Sequence, residues 1–133
     1  SSDVCSSDLL NKLREEAFRY YNSRLGDIKG ILVPKPSDKE NNAYHLYIIR
    51  ITEDFKITRD ELFKRLLQKG VRTSVHYRPL HQFTAFRKFK KNYSLKNSIV
   101  LYKEILSLPF YPNISKKLQD YVINCIVDAS VHK

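Results

Sequence analysis

Apolar side chains recur every three or four residues near the start of the chain and again in its middle, and this spacing predicts two helices. The first ends at Gly26 and carries one apolar stripe: Leu10, Leu13, Ala17, Tyr20 and Tyr21. The second begins at Thr58 with a capping box, in which the Thr58 oxygen accepts from the third amide and Glu61 reaches back. It closes at Gly70, and its buried stripe is expected to be Leu62, Phe63, Leu66 and Leu67.

Two segments have the composition or the alternation of β-strands. Residues 44–51 (YHLYIIRI) are rich in β-branched and aromatic side chains and almost continuously apolar, which predicts a central strand covered on both faces. Residues 71–78 alternate and predict a strand that ends near Arg78, because Pro79 cannot donate to a sheet ladder. One face would carry Val71, Thr73, Val75 and Tyr77, and the other Arg72, Ser74, His76 and Arg78. Shorter extended pieces are expected at residues 31–33 and 106–110.

The remaining pattern predicts short helices over residues 82–91 and around residues 99–106, followed by a last helix that Ser115 caps. The apolar side of that helix is Leu118, Val122, Cys125, Ile126 and Ala129. The element order is thus helix, strand, helix, strand, short helices, strand and helix. This order predicts an α/β two-layer sandwich, with a small, mostly antiparallel sheet covered by helices.

Length and composition indicate one ordinary globular domain. The chain has 133 residues, of which 42% are hydrophobic. No apolar run approaches the roughly 20 residues of a membrane span, and the first residues do not have the pattern of a secretory signal. Residues 1–9 (SSDVCSSDL) resemble a translated sequencing adapter, so we expect a non-native leader there, a domain over residues 10–133 and a natural chain truncated at its start.

Cysteine usage favours a reducing compartment. With Cys5 assigned to the leader, Cys125 stands alone at an apolar position of the last helix, where a buried hydrophobic role is expected. Nothing suggests a disulfide framework, so the cytoplasm is the expected location.

The net charge of +10 leaves three interpretations open: a solvated basic face, attraction of an anionic small substrate, and binding of nucleic acid. Basic residues are spread along the whole chain, which favours the first. The densest cluster is Arg87, Lys88, Lys90 and Lys91. Phe86 precedes it, Phe89 lies within it, and both are expected to form the buried side of a short helix.

The sequence lacks the residue patterns of a metal site, a nucleophilic serine and a phosphate-binding loop. The histidines have no CxxC pair or carboxylate cluster beside them, no serine lies in a strand–turn–helix elbow, and three glycines are too scattered for a phosphate loop.

Residues 74–81 (SVHYRPLH) are different, because polar side chains crowd the end of a predicted strand and can project into a cleft beyond it. Arg78 could pair with a phosphate. His76, Tyr77 and His81 could hydrogen-bond sugar hydroxyls or phosphate oxygens. The alternative is that these groups only satisfy the backbone of the following loop.

Three segments resemble, in order, the small domain of the DegT-type nucleotide-sugar aminotransferases, which are fold-type I enzymes. Residues 42–47 (NAYHLY) are similar to the family's N-x-x-H-x-Y entry to its central strand. Residues 70–89 (GVRTSVHYRPLHQFTAFRKF) resemble its glycine, strand and HY-x-PLH motif. Residues 106–112 (LSLPFYP) resemble its SLP-hydrophobic-x-P segment before the last helix. Together the segments span most of residues 10–131.

The resemblance implies the carboxy-terminal part of an enzyme that moves an amino group, usually from glutamate, to a keto sugar on a nucleotide diphosphate. The implied cofactor is pyridoxal phosphate, bound as a Schiff base to a lysine of an upstream large domain. The chain alone is therefore expected to be inactive. The resemblance further implies a homodimer that serves cell-surface polysaccharide or amino-sugar biosynthesis.

The resemblance also assigns residues. His76, Tyr77 and His81 match the family's motif and are expected to face the sugar-nucleotide substrate, whereas Arg78 occupies the motif's variable position. Tyr44 and His45 match the other motif, and for His45 a structural role within the strand is favoured.

Two other functions remain open on the sequence alone. A stand-alone basic module would bind nucleic acid in a strongly salt-dependent way, although the chain lacks an RNA-binding aromatic signature and a recognition-helix pattern. A regulatory or structural relic of the same fold would fold without binding substrate.

Overall fold

The computed structural model describes residues 2–36, 42–89 and 95–132, with side chains from residue 6 onward. In these ranges the main elements are α1 (Ser2–Leu25), β1 (Ile31–Leu32), β2 (Tyr47–Ile51), α2 (Arg59–Gln68), α3 (Lys96–Glu104), β3 (Ile105–Leu108) and α4 (Lys116–Val131). Two 3₁₀ helices, Leu80–Gln82 and Thr84–Phe89, lie between α2 and α3. Within the described part of the chain, no helix is long and apolar enough to cross a membrane.

The three strands form one antiparallel sheet in the order β1-β2-β3. Tyr47 of β2 lies opposite Leu108 of β3, and Ile51 lies opposite Ile31 of β1. Helices α1, α2 and α4 bury their apolar sides in the same core as the sheet. The predicted α/β sandwich with a small antiparallel sheet and a central β2 is confirmed.

β2 is shorter and less covered than its sequence predicts. It begins at Tyr47, and Tyr44 lies outside it with a φ of 45°, in the left-handed region, which is not strand geometry. The amide of Tyr44 instead donates to Oδ1 of Asn42 at 2.8 Å. Alternate side chains of the strand are buried (Tyr47, Ile49 and Ile51), whereas Ile48 and Arg50 are half-buried. One face is therefore buried and the other is only partly covered, so the expectation that both faces are covered holds in part.

Residues 71–78 do not form the predicted strand. They meet β3 at one bridge, in which Ser74 and Ser107 exchange backbone hydrogen bonds of 3.1 and 2.8 Å. In this antiparallel register Arg72 would face Pro109, which has no N–H to donate. On the other side of the bridge His76 is level with Ile105, whose amide donates to the carbonyl of Leu101 at the end of α3 and whose carbonyl accepts from Nη1 of Arg59. Pairing therefore cannot extend in either direction.

Side-chain caps mark the amino-terminal ends of α2 and α4, as predicted. The Thr58 oxygen accepts from the amide of Glu61 at 3.3 Å, and the Glu61 carboxylate accepts from the amide of Thr58 at 2.8 Å. The Ser115 oxygen accepts from the amide of Leu118 at 3.1 Å. Leu62 and Leu66 of α2 are fully buried, but Leu67 is 53% exposed, so the predicted stripe is too wide.

α1 ends at Leu25, immediately before Gly26, as predicted. Its buried residues begin at Ala17 and include Phe18, Tyr21 and Leu25, whereas Leu10 is exposed. The helix starts at Ser2, inside the segment assigned to a non-native leader. The origin of residues 1–9 stays a prediction.

The last helix is confirmed, and Cys125 is a buried free thiol as expected. α3 is shorter than predicted, because Ile105 and Leu106 belong to β3. The predicted helix over residues 82–91 is broken at Phe83: Gln82 ends the first 3₁₀ helix and Thr84–Phe89 form the second, while residues 90 and 91 lie outside the described ranges.

Candidate substrate-binding site

A cavity of about 570 Å³ lies between residues 76–89, α3 and the start of β3. Three of the four site residues expected from the sequence line it: His76, Tyr77 and His81. The remaining wall is mostly apolar and consists of Pro79, Leu80, Phe86, Phe89, Leu95, Ser98, Leu101, Tyr102 and Ile105. A few convergent polar groups on an apolar wall are typical of small-molecule sites.

His76 is held between the sheet and its chain neighbour. Its Nδ1 lies 2.8 Å from Oγ of Ser107 on β3, at hydrogen-bond distance. On the other side the ring of Tyr77 packs edge-on, with the two ring centroids 4.8 Å apart. The bridge between Ser74 and Ser107 brings the two segments together, so the sheet sets the position of this imidazole.

Tyr77 is 76% exposed although it lines the cavity. Its ring rests on His76, and its hydroxyl has no hydrogen-bond partner among the described residues. An exposed phenol that can both donate and accept is suited to the hydroxyls or phosphate oxygens of a ligand.

His81 lies on the first 3₁₀ helix, and one nitrogen of its ring points into the protein. Its Nε2 is shielded from solvent and has no hydrogen-bond partner among the described residues. A buried polar atom without a partner costs roughly 1–3 kcal/mol. Because this atom is closed to solvent, a ligand in the cavity can contact His81 only through the rest of its ring.

Arg78, the fourth predicted site residue, does not line the cavity. Its Nη2 donates to the carbonyl of Gln82 at 3.1 Å, and its guanidinium carbon lies 5.2 Å from the ring centroid of Phe83. These contacts tie the 3₁₀ turn to the residue that precedes Pro79. A phosphate contact by Arg78 stays a prediction.

The spacing of Phe86 and Phe89 predicts that they form the buried side of a helix. The structure shows that this prediction is wrong. The two side chains are 44% and 64% exposed and line the cavity. Arg87 and Lys88 beside them are exposed, as a solvated basic face requires, and Lys90 and Lys91 lie outside the described residues.

The N-x-x-H-x-Y segment at residues 42–47 contributes no residue to the cavity. Tyr44 is buried in the core, edge-on to Phe18 with ring centroids 5.0 Å apart. His45 is exposed and precedes β2, so the expected structural role within the strand is wrong.

Arg59 is buried against two residues that line the cavity, Tyr102 and Ile105, and the sequence did not predict this. The residue is only 6% exposed, its Nη1 donates to the carbonyl of Ile105 at 2.9 Å, and its Nε lies 2.7 Å from the Asp60 carboxylate. Its guanidinium carbon lies 5.4 Å from the ring centroid of Tyr102, which lines the cavity. In the sequence Arg59 is merely the first residue of a capped helix, so its burial carries no local signal.

The cavity does not fit a covalently bound pyridoxal phosphate. No lysine lines it in the described part of the chain. A lysine that forms a Schiff base reacts as a neutral amine, which requires a lowered pKa. Lys69 is the opposite case, because its hydrogen bond to Asp128 raises its pKa. Nor do the described residues contain a cluster of three His, Cys, Asp or Glu side chains that could hold a metal.

Comparison with known proteins gives a consistent result. The family model described as DegT/DnrJ/EryC1/StrS aminotransferase family matches residues 6–127. The spore coat polysaccharide biosynthesis protein SpsC of Bacillus subtilis is 33% identical over 125 residues, which cover 91% of this chain and 32% of that protein. The UDP-4-amino-4,6-dideoxy-N-acetyl-beta-L-altrosamine transaminase of Campylobacter jejuni is 29% identical over 109 residues, which cover 82% of this chain and 29% of that enzyme.

A solved structure shares the fold. The crystal structure of S. venezuelae DesV in complex with a ketimine intermediate superposes with a TM-score of 0.81 at 26% identity. The match covers 92% of this chain and 32% of DesV. The chain thus spans about a third of the length of the relatives that it matches.

Proposed function

This chain belongs to the DegT/DnrJ/EryC1/StrS aminotransferase family, and from that membership we propose that it forms the substrate-facing wall of a sugar aminotransferase. The proposed reaction moves an amino group from glutamate to a keto sugar carried on a nucleotide diphosphate. The cavity formed by His76, Tyr77 and His81 is the observation that carries the proposal.

The two sides of the cavity suit the two parts of a sugar nucleotide. His76, Tyr77 and His81 offer hydrogen-bonding groups for sugar hydroxyls and diphosphate oxygens. Phe86 and Phe89 are exposed aromatic rings against which a planar base or the apolar face of a sugar can pack. The surplus of basic residues favours the approach of an anionic substrate.

The chemistry at the amino group belongs to the family's cofactor, pyridoxal phosphate, which acts as an electron sink when bound. We place the lysine that holds it in the two thirds of the relatives' length that this chain does not cover. The residues described here would then bind and orient the nucleotide sugar and keep water away from its apolar side.

The wider setting is proposed on the same basis. SpsC is named for spore coat polysaccharide biosynthesis, and the Campylobacter enzyme for a UDP-linked amino sugar. We place the whole enzyme in cell-surface polysaccharide or amino-sugar biosynthesis in the cytoplasm. We further propose a homodimer, in which exposed apolar side chains such as Val100 and Val131 are covered.

Steady-state transamination by the enzyme that carries this domain tests the proposal. His76→Ala and Tyr77→Ala should each raise the KM for the keto sugar nucleotide roughly tenfold, as loss of a hydrogen bond to the substrate implies, and leave the KM for glutamate unchanged. The matched control is His132→Ala, since His132 is an exposed histidine away from the cavity. Unchanged kinetics for both cavity variants would remove these residues from the site and favour the structural relic.

A further inference from the structure

Ser107 is a buried polar residue with one side-chain partner. It is 4% exposed, and its backbone amide and carbonyl are both used in the bridge to Ser74. Its hydroxyl lies 2.8 Å from Nδ1 of His76 and has no other hydrogen-bond partner among the described residues. The strand register fixes the position of this hydroxyl, because Ser107 also lies opposite Ile48 of β2.

The available hydrogen-bond partners indicate whether the Ser107 hydroxyl or Nδ1 of His76 is the donor. If Nδ1 of His76 carried the proton, the buried hydroxyl hydrogen of Ser107 would have no acceptor in the described structure, at a cost of roughly 1–3 kcal/mol. If the hydroxyl donates to Nδ1, both groups are satisfied. The proton of the neutral imidazole then resides on Nε2.

We propose that Ser107 is a positioning residue that fixes the tautomer and ring orientation of His76, so that His76 presents an Nε2–H donor to the substrate. With Nδ1 turned toward β3, Nε2 is the ring nitrogen left for the cavity that His76 lines. The group that it recognises is an acceptor oxygen of the nucleotide sugar, on the sugar or the diphosphate. This inference rests on the function proposed above for the choice of ligand, but not for the tautomer.

Nitrogen NMR of the histidine side chains tests the tautomer without substrate. Long-range ¹H–¹⁵N correlation spectra of the chain, at a pH where His76 is neutral, should show Nδ1 of His76 as an acceptor and Nε2 as the protonated nitrogen. Ser107→Ala should move part of the population to the Nδ1–H form, and Ser107→Thr, which keeps the hydroxyl, should restore the wild-type spectrum. The exposed rings of His45 and His132 should not change.

A wild-type His76 protonated on Nδ1 would overturn the proposal, and this result requires no variant to fold. A Ser107→Ala protein whose His76 signals match the wild type would overturn it as well.

A double-mutant cycle in the enzyme tests the connection to substrate. Ser107→Ala should raise the KM for the nucleotide sugar several-fold, and by less than His76→Ala does. In a His76→Ala background the same change should have no further effect, since Ser107 acts only through the imidazole. Additive effects would reveal a merely structural serine. If His76→Ala itself changes nothing, the proposed function fails, while the NMR result still decides the role of Ser107.

Discussion

The rings of Tyr21 and Tyr47 pack with their centroids 4.7 Å apart and join α1 to the central strand. Both side chains are fully buried. The Tyr21 hydroxyl donates to the carbonyl of Pro109 at 2.9 Å, and the Tyr47 hydroxyl donates to Oδ1 of Asn22 at 2.7 Å. Burial raises the pKa of both phenols far above the usual value of 10.0. Ionisation of either phenol is therefore disfavoured as long as the core stays packed.

The tyrosine pair predicts unfolding in alkali. A phenol whose pKa is raised in the folded state contributes stability that is complete below about pH 10. This contribution is lost as the pH rises from there toward the folded-state pKa, since only the unfolded chain releases the protons easily. Tyrosinate absorbance and circular dichroism, followed together, should show that the last two of the nine tyrosines ionise only as helix is lost. Ionisation of all nine with the helix signal intact would refute this.

Two leucines of α2 provide a matched pair for the core. Leu62→Ala should lower the free energy of unfolding by about 2–5 kcal/mol, because the side chain is fully buried. Leu67→Ala should cost less than about 1 kcal/mol, because Leu67 is half exposed. Urea denaturation of both variants measures the difference, and equal losses would mean that α2 packs in another orientation.

Two glycines with positive φ differ in the space around them. Gly70, with a φ of 77°, closes α2 and has open space where a Cβ would lie, so Gly70→Ala should cost only the left-handed penalty of about 1–2 kcal/mol. A Cβ on Gly30, with a φ of 83°, would overlap the backbone of Phe55. Gly30→Ala should therefore cost about 1–3 kcal/mol more in urea denaturation. The reverse order would show that the turn at Gly30 does not pack against Phe55.

The capping box of α2 predicts a hydroxyl-specific effect. Thr58→Ala removes the acceptor for the Glu61 amide and should lower the free energy of unfolding by about 1 kcal/mol. Thr58→Ser keeps the oxygen and should be close to neutral. If the serine variant loses as much as the alanine variant, the methyl group of Thr58 and not its oxygen stabilises this end of the helix.

The sequence predicts those elements whose signal is local. The cap at Thr58, the cap at Ser115 and the stop at Gly26 each depend on a few adjacent residues, and all are confirmed. The missing strand at residues 71–78 depends on Pro109, which lies more than 30 residues away and ends the pairing. Alternation alone cannot reveal such a partner.

The residues of the candidate site were predictable in part for the same reason. His76, Tyr77 and His81 lie within one short segment, and the structure brings all three to the cavity. Ser107 of β3 and Arg59 of α2 do not line it but contact His76 and Tyr102, which do, and these tertiary contacts have no local sequence signal. The exposure of Phe86 and Phe89 also depends on packing, since their helical spacing is equally consistent with a buried face.

Titration of the isotope-labelled chain with UDP-N-acetylglucosamine tests most directly whether this cavity is the nucleotide-sugar site. We expect weak binding, with a Kd on the order of 1 mM, because the chain supplies only one wall of the site. Chemical shifts should change at His76, Tyr77 and His81, and the changes should disappear in the Tyr77→Ala variant. Inorganic phosphate at the same concentration controls for charge alone. Shifts confined to the separate cavity around Arg65 and His132, or equal shifts with phosphate, would contradict the account.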